Sequence, residues 1–291
     1  MKPHSVLSLA VVAVFLGLST FIHAQETKKA KILHFTRSQS FEHAPAKLLD
    51  DGTTVSGQGL KTYFSDKNIE VVETQDGSVF DGDLGQYDAF VFYTSGNLLD
   101  EKNSKNDKAK PMSAEGLRKM IAAVQKGKGF VGIHSATDSH SNLKDENGAD
   151  IYTKFVGARF TSHGPQQVAT TTVVEPADFR FLQGGLKKFA VHEEWYGMNQ
   201  FNKDIHVILI LETAGMTSGQ RQEYARPPFP ISWIRKEGQG RVAYSGFGHG
   251  NNYFQDMESV RRIGELIEWS IGRFDADTTP NIEKVTPGAF E

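Results

Sequence analysis

Five short stretches of the sequence set imidazoles beside acids, hydroxyls or glycines: "SFEHAP" (40–45), "GIHSATDSH" (132–140), "FTSHGP" (160–165), "HEEWYG" (192–197) and "GFGHGN" (246–251). An imidazole titrates near neutrality and serves as a proton shuttle or a metal ligand. A neighbouring carboxylate orients its ring or shares the ion. The chemistry indicated is general acid–base catalysis, with or without metal assistance. His134 and Asp138 form the strongest pair, because His134 directly follows an apolar run that reads as a core strand. His163 sits in a Gly-Pro turn and His43 before a helix start. On a strand, His192 and Glu194 share one face and Glu193 takes the other, and of the two adjacent acids one is expected to face solvent. His249 stands among three glycines, which let backbone and ligand approach closely. Trp195, Tyr196 and Tyr253 offer flat surfaces of the kind that stack on sugar rings. His34 is expected to be packed inside a strand, and His140 and His206 read as ordinary loop or strand-edge residues.

Several other chemistries are excluded. The chain has no cysteine, so thiolate catalysis, cysteine metal ligation and disulfides are all ruled out. It contains no G-x-S-x-G elbow, no Walker loop and no H-E-x-x-H zinc signature. "GQGLKTYF" (57–64 with its leading glycine) matches no dinucleotide fingerprint, so no nucleotide cofactor is expected.

The elements that must position these residues follow a β/α rhythm. Strands are expected at 31–35, 69–74, 87–93 and 129–133, with helices at 58–67 and 113–127, the second capped by Ser113 and stopped at Gly127. The second half is richer in strands, at 166–175, 189–196, 206–213, 230–236 and 241–248, before a long helix at 256–274. This alternation predicts an α/β fold with a mostly parallel sheet. Ligands of such sheets bind beyond the carboxyl ends of the strands, where most of the histidines fall. One domain is expected over 30–274, followed by a polar, loosely docked tail at 275–291. The charged run 98–111 reads as a solvated loop.

Residues 1–24 read as a secretory signal peptide: Lys2, an apolar stretch from Val6 to Leu18, and a cleavage site before Gln25. The expected location is periplasmic or secreted, with no membrane span in the mature chain. The formal charge is −3 and grows one unit more negative when Lys2 leaves, which argues against nucleic acid as a partner.

In order along the chain, "SFEHAP", "GKGFVGIHSATDS", "FVGARFTSHGP", "HEEWYG" and "GRVAYSGFGHG" make the sequence resemble the ThuA-like (trehalose-utilisation) family over nearly all of residues 30–272. The resemblance implies a flavodoxin-like, class I glutamine amidotransferase-like three-layer α/β/α sandwich. In amidotransferases the turn after the corresponding strand carries a cysteine nucleophile; here that place belongs to His134, so amidotransferase activity is not expected. What the family implies instead is carbohydrate catabolism. Three readings stand side by side. The first is an enzyme that cleaves a glycoside or 3-keto-glycoside, in which His134 or Glu194 removes the acidified C2 proton, His249 protonates the leaving oxygen and Asp138 assists. A divalent metal such as Zn or Mn, held by His134, His163 and Glu194, belongs to this reading. The second is a non-catalytic sugar-binding module using His43, Trp195, Tyr196 and Tyr253, and the third is an interaction protein on a degenerate enzyme fold. The oligomeric state and the sugar linkage are left open.

Overall fold

Nine segments line up as one sheet. They are β1 (Ala30–Phe35), β2 (Ile69–Thr74), β3 (Ala89–Phe92), β4 (Gly129–Ile133), and, past a short strand β5 (Arg159–His163), β6 (Gln167–Val173) and β7 (Lys188–Glu193). After β8 (Tyr196–Asn199) come β9 (His206–Leu211), β10 (Phe229–Glu237) and β11 (Gly240–Ser245). The computed structural model describes residues 29–101, 106, 108–176 and 178–290. The leader expected at 1–24 and part of the charged loop lie outside the described residues. No helix among the described residues is long and apolar enough to cross a membrane.

The strand order is β2-β1-β3-β4-β11-β10-β9-β6-β7. The first five are mutually parallel and the remaining pairings antiparallel. Two successive antiparallel steps restore direction, so β9 and β7 run with the parallel block and only β10 and β6 oppose it. The sheet is therefore mixed but mostly one-directional, as the alternation of the first half requires. β5 and β8 form a separate antiparallel ribbon, not foreseen from the sequence.

Every residue of β3 and β4 is buried, the pattern of strands covered on both faces. An aromatic cluster of Phe35, Phe80, Phe92, Phe130 and Phe155 packs edge-on at centroid distances of 4.8–5.5 Å. Helix α1 (Val55–Tyr63) begins three residues earlier than its apolar pattern suggests. Its start is fixed by Thr54, whose hydroxyl accepts from Gly57 N at 2.9 Å and donates to Glu73 at 2.7 Å. Helix α2 (Ala114–Gln125) is capped by Ser113 as expected. After α3 (Ile151–Val156) and the short α4 (Asn251–Gln255), helix α5 (Met257–Ser270) buries Val260, Ile263 and Ile267 against β3, β4 and β11.

The tail is not loosely docked. Asn281 bonds both to the N–H and to the carbonyl of Val207, and Ile282 and Ala289 are buried. Composition marks the segment as polar, but the backbone groups it satisfies on β9 are invisible in its own sequence.

Candidate functional site

Four separate segments deliver their side chains to one spot beyond the carboxyl ends of the strands. His134 directly follows β4 and adopts φ 44°, in the left-handed region, which costs a non-glycine residue about 1–2 kcal/mol. Its backbone is held there by the Tyr244 hydroxyl, which donates to the His134 carbonyl at 2.7 Å. His134 Nδ1 lies 3.2 Å from the Gly246 carbonyl. A carbonyl only accepts, so Nδ1 carries the proton and Nε2 presents its lone pair to the crevice. His249 follows β11 on a glycine-rich turn, His43 ends the loop after β1, and Glu194 follows β7.

These four residues meet. One donor atom from each of His43, His134, Glu194 and His249 lies within 4.8 Å of the others. Glu194 Oε2 stands 3.1 Å from His249 Nδ1, 3.6 Å from His134 Nε2 and 3.8 Å from His43 Nε2. Two donors each about 2.1 Å from a shared ion are about 3.0–3.4 Å apart in octahedral or tetrahedral geometry. Of the ring nitrogens that face Glu194, His134 Nε2 and His249 Nδ1 are buried without a hydrogen-bond partner, whereas His43 Nε2 also meets the Tyr196 hydroxyl at 3.3 Å. Orphaned nitrogens around a carboxylate fit a bound cation, because the site is rich in lone pairs and poor in protons.

The electrostatics agree. Burial pushes the His134 imidazole down to about 4 despite Glu194 beside it, so the ring is neutral near pH 7. Burial likewise lowers His43. At His249 burial is outweighed by Glu194, and the imidazole is raised. Burial works to raise the Glu194 carboxyl, but the His134, His249 and His43 imidazoles that face it overcome this and hold the group ionised.

A pocket of about 160 Å³ opens beside this cluster, lined by Phe41, His43, Asp138, Phe160, His163, Glu194 and Tyr196. Asp138 accepts from Ser40 Oγ at 2.8 Å, and burial raises its carboxyl. It does not orient the His134 ring, which the Gly246 carbonyl does instead. His163 stands at the rim with Nδ1 donating to the Gly164 carbonyl at 2.9 Å and 3.4 Å from Glu194. It is outside the four-donor group that could hold a metal ion, which contains His134 and Glu194 of the expected set together with His43 and His249.

Other expectations are corrected. The run 189–196 is not one strand: β7 stops at Glu193, and Glu194 and Trp195 leave the ladder before β8 resumes. Neither adjacent acid faces solvent; Glu193 and Glu194 are both buried, and it is His192 that is exposed. Glu193 accepts three backbone N–H groups, from Glu194 at 2.9 Å, Gly248 at 2.8 Å and His249 at 3.2 Å. It thereby ties together the two segments that carry Glu194 and His249. Trp195 is 0% exposed, with its indole N–H donating to the Gln167 carbonyl, so it offers no face to a sugar. Tyr253 is buried against Phe247. Tyr196 lines the pocket, its ring tilted against His134 at 4.3 Å and its hydroxyl bonded to His43 at 3.3 Å. Phe41 was missed, although it lies in the quoted stretch two positions before His43; an aromatic beside a loop histidine was the available signal.

Fold and site together define an α/β protein with a histidine–carboxylate centre at the carboxyl edge of a largely parallel sheet. More narrowly, the chain belongs to the ThuA family, described as trehalose utilisation, which matches residues 31–270. It is similar to the solved structure of a ThuA-like protein from Bacteroides uniformis, at 19% identity and a TM-score of 0.57, covering 88% of this chain and 96% of that one. A ThuA-like protein from Parabacteroides merdae is similar at 15% identity and a TM-score of 0.53, covering 87% and 94%. A cytoplasmic protein from Salmonella typhimurium follows at 14% identity and a TM-score of 0.50, covering 82% and 99%. At these identities the likeness concerns the fold alone. No curated protein matches the sequence.

Proposed function

We propose that this protein is an exported enzyme that cleaves a glycoside or 3-keto-glycoside of the trehalose type, with one divalent cation held by His43, His134, Glu194 and His249. The observation that carries the reading is the meeting of four donors from four distant segments within 4.8 Å, with buried ring nitrogens that have no hydrogen-bond partner. Three imidazoles and a carboxylate suit zinc or manganese. Such an ion, when bound, supplies a Lewis acid for a sugar oxygen.

Ligation would occupy the lone pairs of these four residues, so proton transfer passes to Asp138 and His163, the other carboxyl and imidazole on the pocket wall. In a 3-keto-glycoside the carbonyl acidifies the C2 proton. Asp138 takes that proton, the C2–H electron pair forms the C1=C2 bond, and the C1–O bond breaks. His163 gives a ring proton to the leaving oxygen. Raised by burial, the Asp138 carboxyl is a better base than an exposed aspartate. Within this reading the domain is a flavodoxin-like sandwich of the amidotransferase type, with its nucleophile position given over to His134.

The test uses purified protein titrated calorimetrically with Zn²⁺ and Mn²⁺, then incubated with trehalose and its 3-keto form with and without chelator. One ion per chain is expected, with binding and turnover both lost in His134→Ala and turnover lost in Asp138→Asn while the ion stays. Unchanged turnover in His134→Ala, or no ion bound by the wild type, overturns the proposal. Export is checked by sequencing the N-terminus of protein recovered outside the cytoplasm, which should begin at Gln25.

A further inference from the structure

The side chain least accounted for by packing lies at the mouth of the pocket. Phe41 is 64% exposed, and among the described residues no other large apolar side chain except Val168 is as open to solvent. Its backbone is nevertheless fixed. The Phe41 carbonyl accepts from Ser95 Oγ at 2.7 Å, and Gln39 N donates to the Ser95 carbonyl at 2.8 Å. Next to it Ser40 is tied to Asp138, and the Phe41 ring meets His43 edge-on at 4.9 Å. A firmly held backbone that displays a phenyl ring to water beside a cluster of titratable groups is a surface prepared for a ligand.

The size of the pocket says which part of the ligand reaches that ring. About 160 Å³ is the space of roughly five waters, enough for one sugar ring but not two. With one ring against the cluster, the next unit of a disaccharide must leave through the mouth, where Phe41 stands. We infer that Phe41 is the platform for the unit beyond the scissile bond, so that the pocket selects glycosides in which a terminal sugar carries a ring-shaped leaving group. This rests on the carbohydrate reading of the same site and adds the class of substrate. A stacked ring face removes some tens of Å² of apolar surface from water, worth about tenfold in affinity.

The experiment compares trehalose with methyl α-D-glucopyranoside, and the 3-keto form of each, titrated calorimetrically into wild-type protein, Phe41→Ala and Phe41→Trp. The expected result is a wild-type preference of about tenfold for the disaccharide of each pair. Phe41→Ala should erase that preference, weakening each disaccharide about tenfold more than its methyl glycoside, and Phe41→Trp should keep it. Because the ring is exposed, all three proteins should fold alike, which circular dichroism verifies. A wild type without preference, or a Phe41→Ala variant that retains it, overturns the platform while leaving the carbohydrate reading intact. A wild type that binds none of the four sugars overturns both.

Discussion

Replacing Glu193 with glutamine tests whether the cluster depends on how its two carrier segments are tied. The carboxylate accepts from Glu194 N and His249 N on one oxygen and from Gly248 N on the other. A glutamine has one acceptor oxygen. In its better orientation it keeps Glu194 and His249 and turns an NH₂ group on the Gly248 N–H. One buried donor loses its partner, at about 1–3 kcal/mol, and the two retained bonds lose their charge assistance, adding about 1 kcal/mol. The total, about 2–4 kcal/mol, is well inside the 5–15 kcal/mol (roughly) that a domain has to lose, so the variant should fold. Partners that position metal ligands are typically worth about 10–100-fold in affinity. Urea unfolding of the metal-free protein and a competition titration with a chromophoric chelator measure the two effects separately. The reasoning is refuted if Glu193→Gln binds Zn²⁺ as tightly as the wild type, or if its stability falls by less than about 1 kcal/mol.

Three further outcomes are expected. Folding holds the buried His34 imidazole at about 4 against 6.5 in the unfolded chain, so its contribution is complete above pH 6.5 and is lost as the pH falls towards 4. That loss amounts to about 3 kcal/mol, so unfolding free energies between pH 7 and 4 should fall less steeply in His34→Gln than in the wild type; equal slopes would count against it. Gly57→Ala should destabilise by about 1–3 kcal/mol in thermal unfolding, because a Cβ there would lie 1.9 Å from the Glu73 carboxylate. Trp195→Phe loses the bond to Gln167 and some buried ring, and should cost about 1–3 kcal/mol of stability while sugar affinity stays unchanged; weakened sugar binding would restore Trp195 as a contact residue.

The strands were legible where an apolar run is bounded by turn residues. β2 and β4 fall on the residues expected, and α2 starts at its serine cap. Helix α1 starts before its apolar stripe because Thr54 caps it and because Gly57 and Gly59 allow close approaches, to Glu73 and to the Phe254 backbone, none of which its apolar pattern shows. The β5–β8 ribbon pairs segments more than thirty residues apart, and the break at Glu194 depends on an indole bond to Gln167; neither leaves a periodic trace. At the site, strand-end position pointed to His43, His134, Asp138 and His249, while Glu194 was read inside a strand and singled out by residue type. What they could not supply was the direction of each ring. That His43 rather than His163 falls in the four-donor group, and that Trp195 is wholly buried, both turn on side-chain direction and burial.

The four donors span most of the chain, and each hangs from a different strand end. No short fragment holds the set, so the centre comes into being only when the whole sheet closes. A cation that recognises it would select the folded population and lift the melting temperature with its own concentration, adding about 2.7 kcal/mol of stability at a hundred times Kd. A thermal-shift series across divalent ions would then rank the natural occupant before any substrate is in hand.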